Sequence, residues 1–197
     1  MRKKEHKVMN YTGKEVQKMK LKTGDSAPEF TLESSSGSAV CLGDKTGKGR
    51  VFLSFLRYIG CPFCRARIHG LNARKVEAAE AGGSILVVLE STPKRVVEYS
   101  AKNGISIPIL SDREKKVFAL YGVERGNAMA LLKPKVLTGT VKLAFRGFMH
   151  GMPGGDELQL PADFIIGKNG RVELAHYRTD PTDSLPIDLA LAALRGK

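Results

Sequence analysis

Val51-Phe52-Leu53-Ser54-Phe55, followed after a short turn by Gly60-Cys61-Pro62-Phe63-Cys64, is the stretch whose reading decides the fold. The first part is an apolar, aromatic-rich run that reads as a buried strand, and Gly60 marks the turn after it. From Cys61 the composition becomes helical as far as Ala81, where Gly82-Gly83 closes the run. Pro62 falls in the first helical turn, where a missing N–H costs nothing. Cys61 then lies over unpaired N–H groups at the positive end of a helix dipole, which favours thiolate over thiol. Arg57, Arg65 and Arg67 act in the same sense if they point inward. A thiol with a free pKa near ~8.5 drops to roughly 7 or below in such a setting. Cys64, one turn on, is close enough to close a short disulfide with Cys61. The expected pair is an exposed nucleophile at Cys61 and a more sheltered resolving thiol at Cys64.

Other uses of two cysteines at this spacing are less well supplied. A structural zinc site needs four ligands, and the chain has no second CxxC and no spaced histidine pair; only Cys41, His69, His150 and His176 are left to contribute. No metal or organic cofactor is therefore expected. Three cysteines in 197 residues do not make a disulfide scaffold, and Cys41 reads as a small buried apolar residue.

Around this centre, strands and helices alternate. Two short extended pieces, Glu29 to Glu33 and Ser38 to Leu42, flank a Ser/Gly stretch and suggest a hairpin ahead of the main sheet. Ser84 to Glu90 is a second buried strand. Thr92-Pro93 opens a helix to about Lys102, Ile107 to Leu110 is a third strand, and Asp112 caps a helix over Arg113 to Tyr121. Such alternation argues for parallel crossovers, with active groups at the C-terminal edge of the sheet, where Cys61 falls. Val123 to Gly155 breaks the alternation and reads as an insertion, interrupted by Pro134 and Gly139 and ending in a loop at Gly151 to Gly155. Asp163 to Ile166 and Arg171 to Tyr177 form a hairpin about Lys168-Asn169-Gly170, and Ser184 to Arg195 closes the chain as a helix.

The chain is 42% apolar, enough for one domain with a full core, over residues 23–197. No apolar run approaches membrane-spanning length and the N-terminus lacks the apolar middle of a secretion signal, so a cytoplasmic location is the default. In that compartment thiols are kept reduced, and a vicinal pair suits catalysis better than stapling. Net charge is +12, and half of it lies in residues 1–22, where eight Lys/Arg face Glu5 and Glu15. That segment reads as a basic, flexible arm. Without interleaved aromatics or a reader motif, nucleic-acid binding is the weaker account of it, although a basic nucleic-acid or acidic-surface binder with a redox-sensing disulfide stays open as an alternative.

Pro161 stands at the start of the Asp163 strand, and with the strand, the CxxC helix, the crossovers and the closing hairpin it resembles the thioredoxin fold. That likeness implies a central mixed sheet flanked by helices, and a Pro161 that faces the cysteine pair across a cis Leu160–Pro161 bond. Gly24-Asp25-Ser26-Ala27-Pro28-Glu29-Phe30-Thr31-Leu32 is similar to the opening of the peroxiredoxins and their AhpC/TSA relatives. Arg57 through Arg67, with Gly154-Gly155-Asp156 and Gln159-Leu160-Pro161, resembles the peroxiredoxin-like branch that includes the prostamide and prostaglandin F synthases. The resemblance covers about residues 24 to 195. It implies a thiol-dependent oxidoreductase that reduces a peroxide or a disulfide through Cys61 and Cys64, is regenerated by an external dithiol such as a thioredoxin-like protein, and is a possible homodimer. Peroxiredoxins carry Pro and Thr seven and three residues before the peroxidatic cysteine. Here Cys64 in that register puts Arg57 and Cys61 at those positions, and Cys61 puts Ser54 and Tyr58 there. Neither keeps the threonine hydroxyl, and Arg57 stands as the alternative charge for activating the thiolate or binding oxygen. Which cysteine attacks first, and whether peroxide or disulfide is attacked, stays open on these residues.

Overall fold

A short hairpin of β1 (Thr31–Glu33) and β2 (Ala39–Cys41) leads through α1 (Leu42–Thr46) into the main sheet. The computed structural model describes residues 20–152 and 154–196, so the expected arm lies outside the described residues except for Lys20 to Lys22. The sheet holds β3 (Arg50–Leu56), β4 (Gly83–Leu89), β5 (Ile109–Ser111), β6 (Ala162–Ile166) and β7 (Val172–Tyr177) in the order β5-β4-β3-β6-β7. β3, β4 and β5 run parallel because helices join them: α2 (Pro62–Ala73) with α3 (Lys75–Glu80), then α4 (Pro93–Asn103). β6 and β7 are antiparallel additions on the other side of β3. α5 (Lys116–Leu120), α6 (Pro134–Phe145) and α7 (Ile187–Leu194) complete the fold. This is the expected thioredoxin-like α/β architecture, with an N-terminal hairpin and an insertion before the closing hairpin.

The alternation of β3 divides the core. Phe52 and Leu56 face one way and pack with Cys64, Ile68 and Leu71 of α2, Val96 of α4 and Leu191 and Leu194 of α7. Val51, Leu53 and Phe55 face the other way, onto Phe30, Val40 and Leu42 from the hairpin side and Val117, Phe118 and Tyr121 around α5. A strand buried on both faces is nearly continuously apolar, which is why the run Val51 to Phe55 was legible. Ser54 is the one polar residue in it, and its side chain points to the α2 face.

Three elements differ from the sequence reading. The single helix expected over Cys61 to Ala81 is two, broken at Arg74 (φ −103°, ψ 13°), and the break lets α3 pack against both β4 and α7. Asp112 does cap α5, accepting from the N–H groups of Lys116, Val117 and Phe118, but the helix begins later than expected because Lys115 takes a left-handed conformation (φ 55°). Pro134, read as an interruption, is the first residue of α6, the one helical position that loses nothing to proline. Gly139 lies inside the same helix because α6 crosses α2 there; a Cβ would stand 3.0 Å from the ring of Phe63.

Candidate active site

β3 ends at Leu56 and hands the chain to a turn that is fixed at every step. The Glu90 N–H donates to the Arg57 carbonyl, the Ile59 N–H to Ser91 Oγ, and the Cys61 N–H to the Tyr58 carbonyl. Cys61 is the N-cap of α2 (φ −74°, ψ 123°), Pro62 is its first helical residue, and the Arg65 N–H opens the helical ladder on the Cys61 carbonyl. In this geometry Cys61 Sγ takes the place of an oxygen cap and accepts the Cys64 N–H at 3.4 Å. Arg57 reaches back to the same sulfur, with Nη2 2.9 Å from it, while its Nη1 donates to the Glu157 carbonyl at 2.6 Å.

The two thiols are driven apart electrically. Burial alone raises the pKa of Cys61, but the hydrogen bond from Cys64, the charge of Arg57 and the N-terminal N–H of α2 outweigh it and bring the thiol down to about 6. Cys64 is pushed well above an ordinary thiol, first by burial and then by the negative sulfur it donates to. The proton of the pair therefore rests on Cys64, and Cys61 is the thiolate. Arg57 is held charged: burial works against its charge, and the anion at Cys61 more than compensates.

Cys61 is not the exposed nucleophile expected from the sequence; both cysteines are buried and both are reduced. Against the Gly60 turn beside Cys61 lies a strap, residues 149–152 and 154–157, that the sequence reading took as a simple loop. The Gly151 N–H donates to the Gly60 carbonyl, and Gly60 is required because a Cβ there would collide with the Met152 carbonyl. Arg65 donates to the Met149 carbonyl at 3.1 Å and Arg95 to the Met152 carbonyl at 3.1 Å. The Tyr58 hydroxyl donates to Glu157 Oε1 and lies 3.2 Å from His150 Nε2. Glu90, read from sequence as the end of the second buried strand, is buried and anchors the strap by accepting the Asp156 N–H at 2.9 Å. The signal for the strap was in the sequence as Gly151 and Gly154-Gly155, small residues that permit close approach.

Of the other expected site residues, Arg57 is brought to Cys61, but Arg65 and Arg67 are not. Arg65 lies over the Tyr99 ring and holds the strap; Arg67 turns to the other side of α2, 3.8 Å from Asp163. Pro161 sits just before Ala162, whose cross-strand partner is Phe55, so it is level with the end of β3. The expected cis bond is corrected: there is no cis peptide among the described residues, and Leu160–Pro161 is trans. The chain enters β6 already extended, with the Leu160 N–H on the Glu124 carbonyl, Gln159 Nε2 on the Leu160 carbonyl and the Arg178 N–H on the Pro161 carbonyl. Cys41 also differs from its reading: it is only partly buried, stands at the N-cap position of α1 without capping it through its side chain, and has its sulfur 4.0 Å from Glu29 Oε2, which takes the Gly43 N–H instead.

The model of the AhpC/TSA family matches residues 23–175. The chain belongs to that family. It is a thiol-dependent oxidoreductase of peroxiredoxin type, as the residues around Cys61 led us to expect. Peroxiredoxin-like 2C of Bos taurus is 23% identical over 172 residues, covering 83% of this chain and 75% of that protein. The crystal structure of peroxidoxin BcpB from Mycobacterium tuberculosis superposes with a TM-score of 0.64 at 22% identity, covering 89% of this chain and 97% of that one. A putative thiol:disulfide interchange protein DsbE from Chlorobium tepidum superposes at 0.61 with 24% identity, covering 89% and 99%. At these identities the two structures speak for the shared fold. No helix among the described residues is long and apolar enough to cross a membrane.

Proposed function

We propose that this AhpC/TSA protein reduces a peroxide with Cys61 as the attacking thiolate and Cys64 as the resolving thiol. The observation that carries the reading is the 2.9 Å contact of Arg57 Nη2 with Cys61 Sγ, in a pair whose proton rests on Cys64. Cys61 attacks one peroxide oxygen; the S–O bond forms, the O–O bond breaks, and the departing oxygen leaves as water or an alcohol after taking a proton. Arg57 is placed to neutralise charge as it passes from sulfur to the leaving oxygen, the role a threonine hydroxyl shares in other peroxiredoxins. With the negative sulfur consumed, Cys64 loses the hydrogen bond and the charge that, after burial, held its proton. It attacks the Cys61 sulfenic acid, water leaves, and the Cys61–Cys64 disulfide forms. An external dithiol of thioredoxin type returns both thiols and is itself oxidised to its disulfide. In the register this assigns, Tyr58 holds the threonine position, and its hydroxyl serves the strap instead of the sulfur.

Disulfide exchange is the second reading, favoured by the intact CxxC with both sulfurs in one buried site. Hydrogen peroxide, an organic hydroperoxide and a model disulfide offered side by side, with a thioredoxin-type reductant, separate the two. Cys61→Ser is expected to remove turnover of every substrate, and Cys64→Ser to leave the first step intact and accumulate Cys61 as sulfenic acid or mixed disulfide. Undiminished activity in Cys61→Ser would end both readings.

A further inference from the structure

Along the flank of α2 that carries Phe63, Ala66 and Arg67 is a cavity of about 490 Å³, walled by α2, α6 and the segment from Arg178 to Ser184. That volume is in the range of small-ligand sites. Five cations line it, Arg67, Lys135, Lys142, Arg146 and Arg178, and no carboxylate does. The orientation of α6 is the unusual part. Its residues Lys135, Thr138, Gly139, Lys142, Leu143 and Arg146, spaced three and four apart along one face, look into the cavity. Leu137, Val141 and Phe145 form the opposite stripe and are exposed, Phe145 at 89%. α6 is thus seated by Val136, which is buried, and carries exposed cations on the cavity side and an exposed apolar stripe on the other.

The floor of the cavity is short of negative charge. Arg67 and Arg178 share a single carboxylate, Asp163, and Arg178 takes its oxygens at 2.7 to 3.0 Å while Arg67 is left 3.8 Å away. The Arg67 side chain is 8% exposed, and its Nε and Nη2 have no hydrogen-bond partner. Burial pulls its pKa down to about 10 in spite of Asp163, the mark of a cation without enough counter-charge. At the rim Lys135 shares Asp180 with Lys133, and Lys142 and Arg146 have no ion pair among the described residues. Phe63, Ala66, Leu143 and Pro181 supply apolar wall between these groups.

We infer that this cavity is a binding site for a small amphipathic organic anion, with a carboxylate or phosphate head on Arg67, Lys142 and Arg146 and an apolar body against Phe63, Leu143 and Pro181. Occupancy touches α2 at Phe63 and Arg67, which bracket Cys64 in sequence. The site is separate from the thiols, and its test does not depend on turnover. Octanoate, octyl phosphate, octanol and inorganic phosphate are titrated into the reduced full-length protein by calorimetry, with amide shifts of Phe63 and Arg67 followed by NMR. Octanoate or octyl phosphate is expected to bind one to one and shift those amides, the tighter of the two naming the head group, with octanol and inorganic phosphate both at least about tenfold weaker, since a charge-assisted hydrogen bond to the head is worth that much. Lys142→Gln with Arg146→Gln, both exposed and remote from the fold's core, is expected to weaken binding by about tenfold, and Arg67→Met to weaken it further. If Arg67→Met fails to fold, because Asp163 loses a neighbour, the surface pair decides alone. Octanol binding as tightly as octanoate, unchanged affinity in the Lys142/Arg146 variant, or no binding of either anion overturns the assignment.

Discussion

Asp163 and Cys61 are both anions served by buried arginine at β3 and its neighbours, and the contrast between them separates structure from chemistry in this molecule. Asp163 is fully buried and has a nearly complete set of donors: Arg178 on both oxygens, Ser54 Oγ at 2.6 Å and the Leu185 N–H at 3.2 Å. Burial pushes its carboxyl up, but Arg178 and Arg67 outweigh that and hold it below the ordinary carboxylate value. Its charged form is thereby favoured beyond that of an ordinary carboxylate. Cys61 has fewer and softer partners, Arg57 at 2.9 Å and the Cys64 N–H at 3.4 Å, and its charge is conditional on pH. One anion is locked between strands and the other lies at a strand end beside a strap. A buried charge with every lone pair occupied ties elements together; one with a lone pair to spare can react.

The largest expected effect breaks the locked side. Asp163→Asn leaves Arg178 and Arg67 facing a neutral amide in the core, and loss of one partner from such a buried cluster costs about 3–5 kcal/mol. For a domain of this size the midpoint of thermal unfolding should fall by on the order of 10 °C. Because the folded pKa of Asp163 is depressed, the stability it contributes is complete above about pH 4 and is lost as pH falls through its folded value, so variant and parent should converge in acid. The pH at which Cys61 is half-alkylated should not move in the fraction that stays folded. If it does move, the two anions are one electrostatic unit and the contrast is false.

The next effect falls on the conditional side. Arg57→Met keeps an unbranched chain and removes the charge beside Cys61. In the parent the rate of Cys61 alkylation should rise through pH about 6 and then level, since only the thiolate reacts. In the variant the rise should shift to ~8.5 or higher, leaving the rate at pH 7 lower by about thirtyfold or more, with the curves meeting in alkali. An inflection that stays near 6 would mean that Cys64 and the helix terminus hold the thiolate without Arg57. Unfolding temperatures follow the same contrast, with Arg57→Met costing less than Asp163→Asn because Glu157, its other partner, is partly exposed.

How legible these two regions were from sequence follows from the range of the forces that build them. β3, Cys61 and Pro62 were readable because strand, turn and helix start are local signals within fourteen residues. The closing hairpin was readable for the same reason, from Lys168-Asn169-Gly170. Asp163 passed as an ordinary strand residue: what makes it a hub is its register opposite Ser54 and the arrival of Arg178 and Arg67, none of which has a local signature. The strap was missed as well, since Glu157 meets Tyr58 across a separation of 99 residues. Pro161 misled because a proline before a strand has one reading in the fold it resembled and another in a chain that Gln159 and Glu124 already hold extended.

The smallest expected effect tests whether the strap is what keeps a reactive thiolate out of solvent. Burial and the bond to Glu157 raise the Tyr58 phenol far above its ordinary pKa, so it remains a donor wherever Cys61 is charged. Tyr58→Phe deletes that bond and the contact with His150 while keeping the ring that packs against Gly60 and Gly155. A partly exposed hydrogen bond is worth about 1 kcal/mol, so the strap should open several-fold more often while global stability changes little. Alkylation of Cys61 measured at pH 8, where its charge is complete in both proteins, should therefore quicken by a few-fold. Asp163 offers no such response, because the groups over it, Arg178 and the Leu185 N–H, are bonded to it directly. An unchanged rate in Tyr58→Phe would place the barrier to Cys61 in the remaining strap contacts, Gly151 on Gly60 and Arg65 on Met149, and Arg65→Gln would then be the variant in which the acceleration appears.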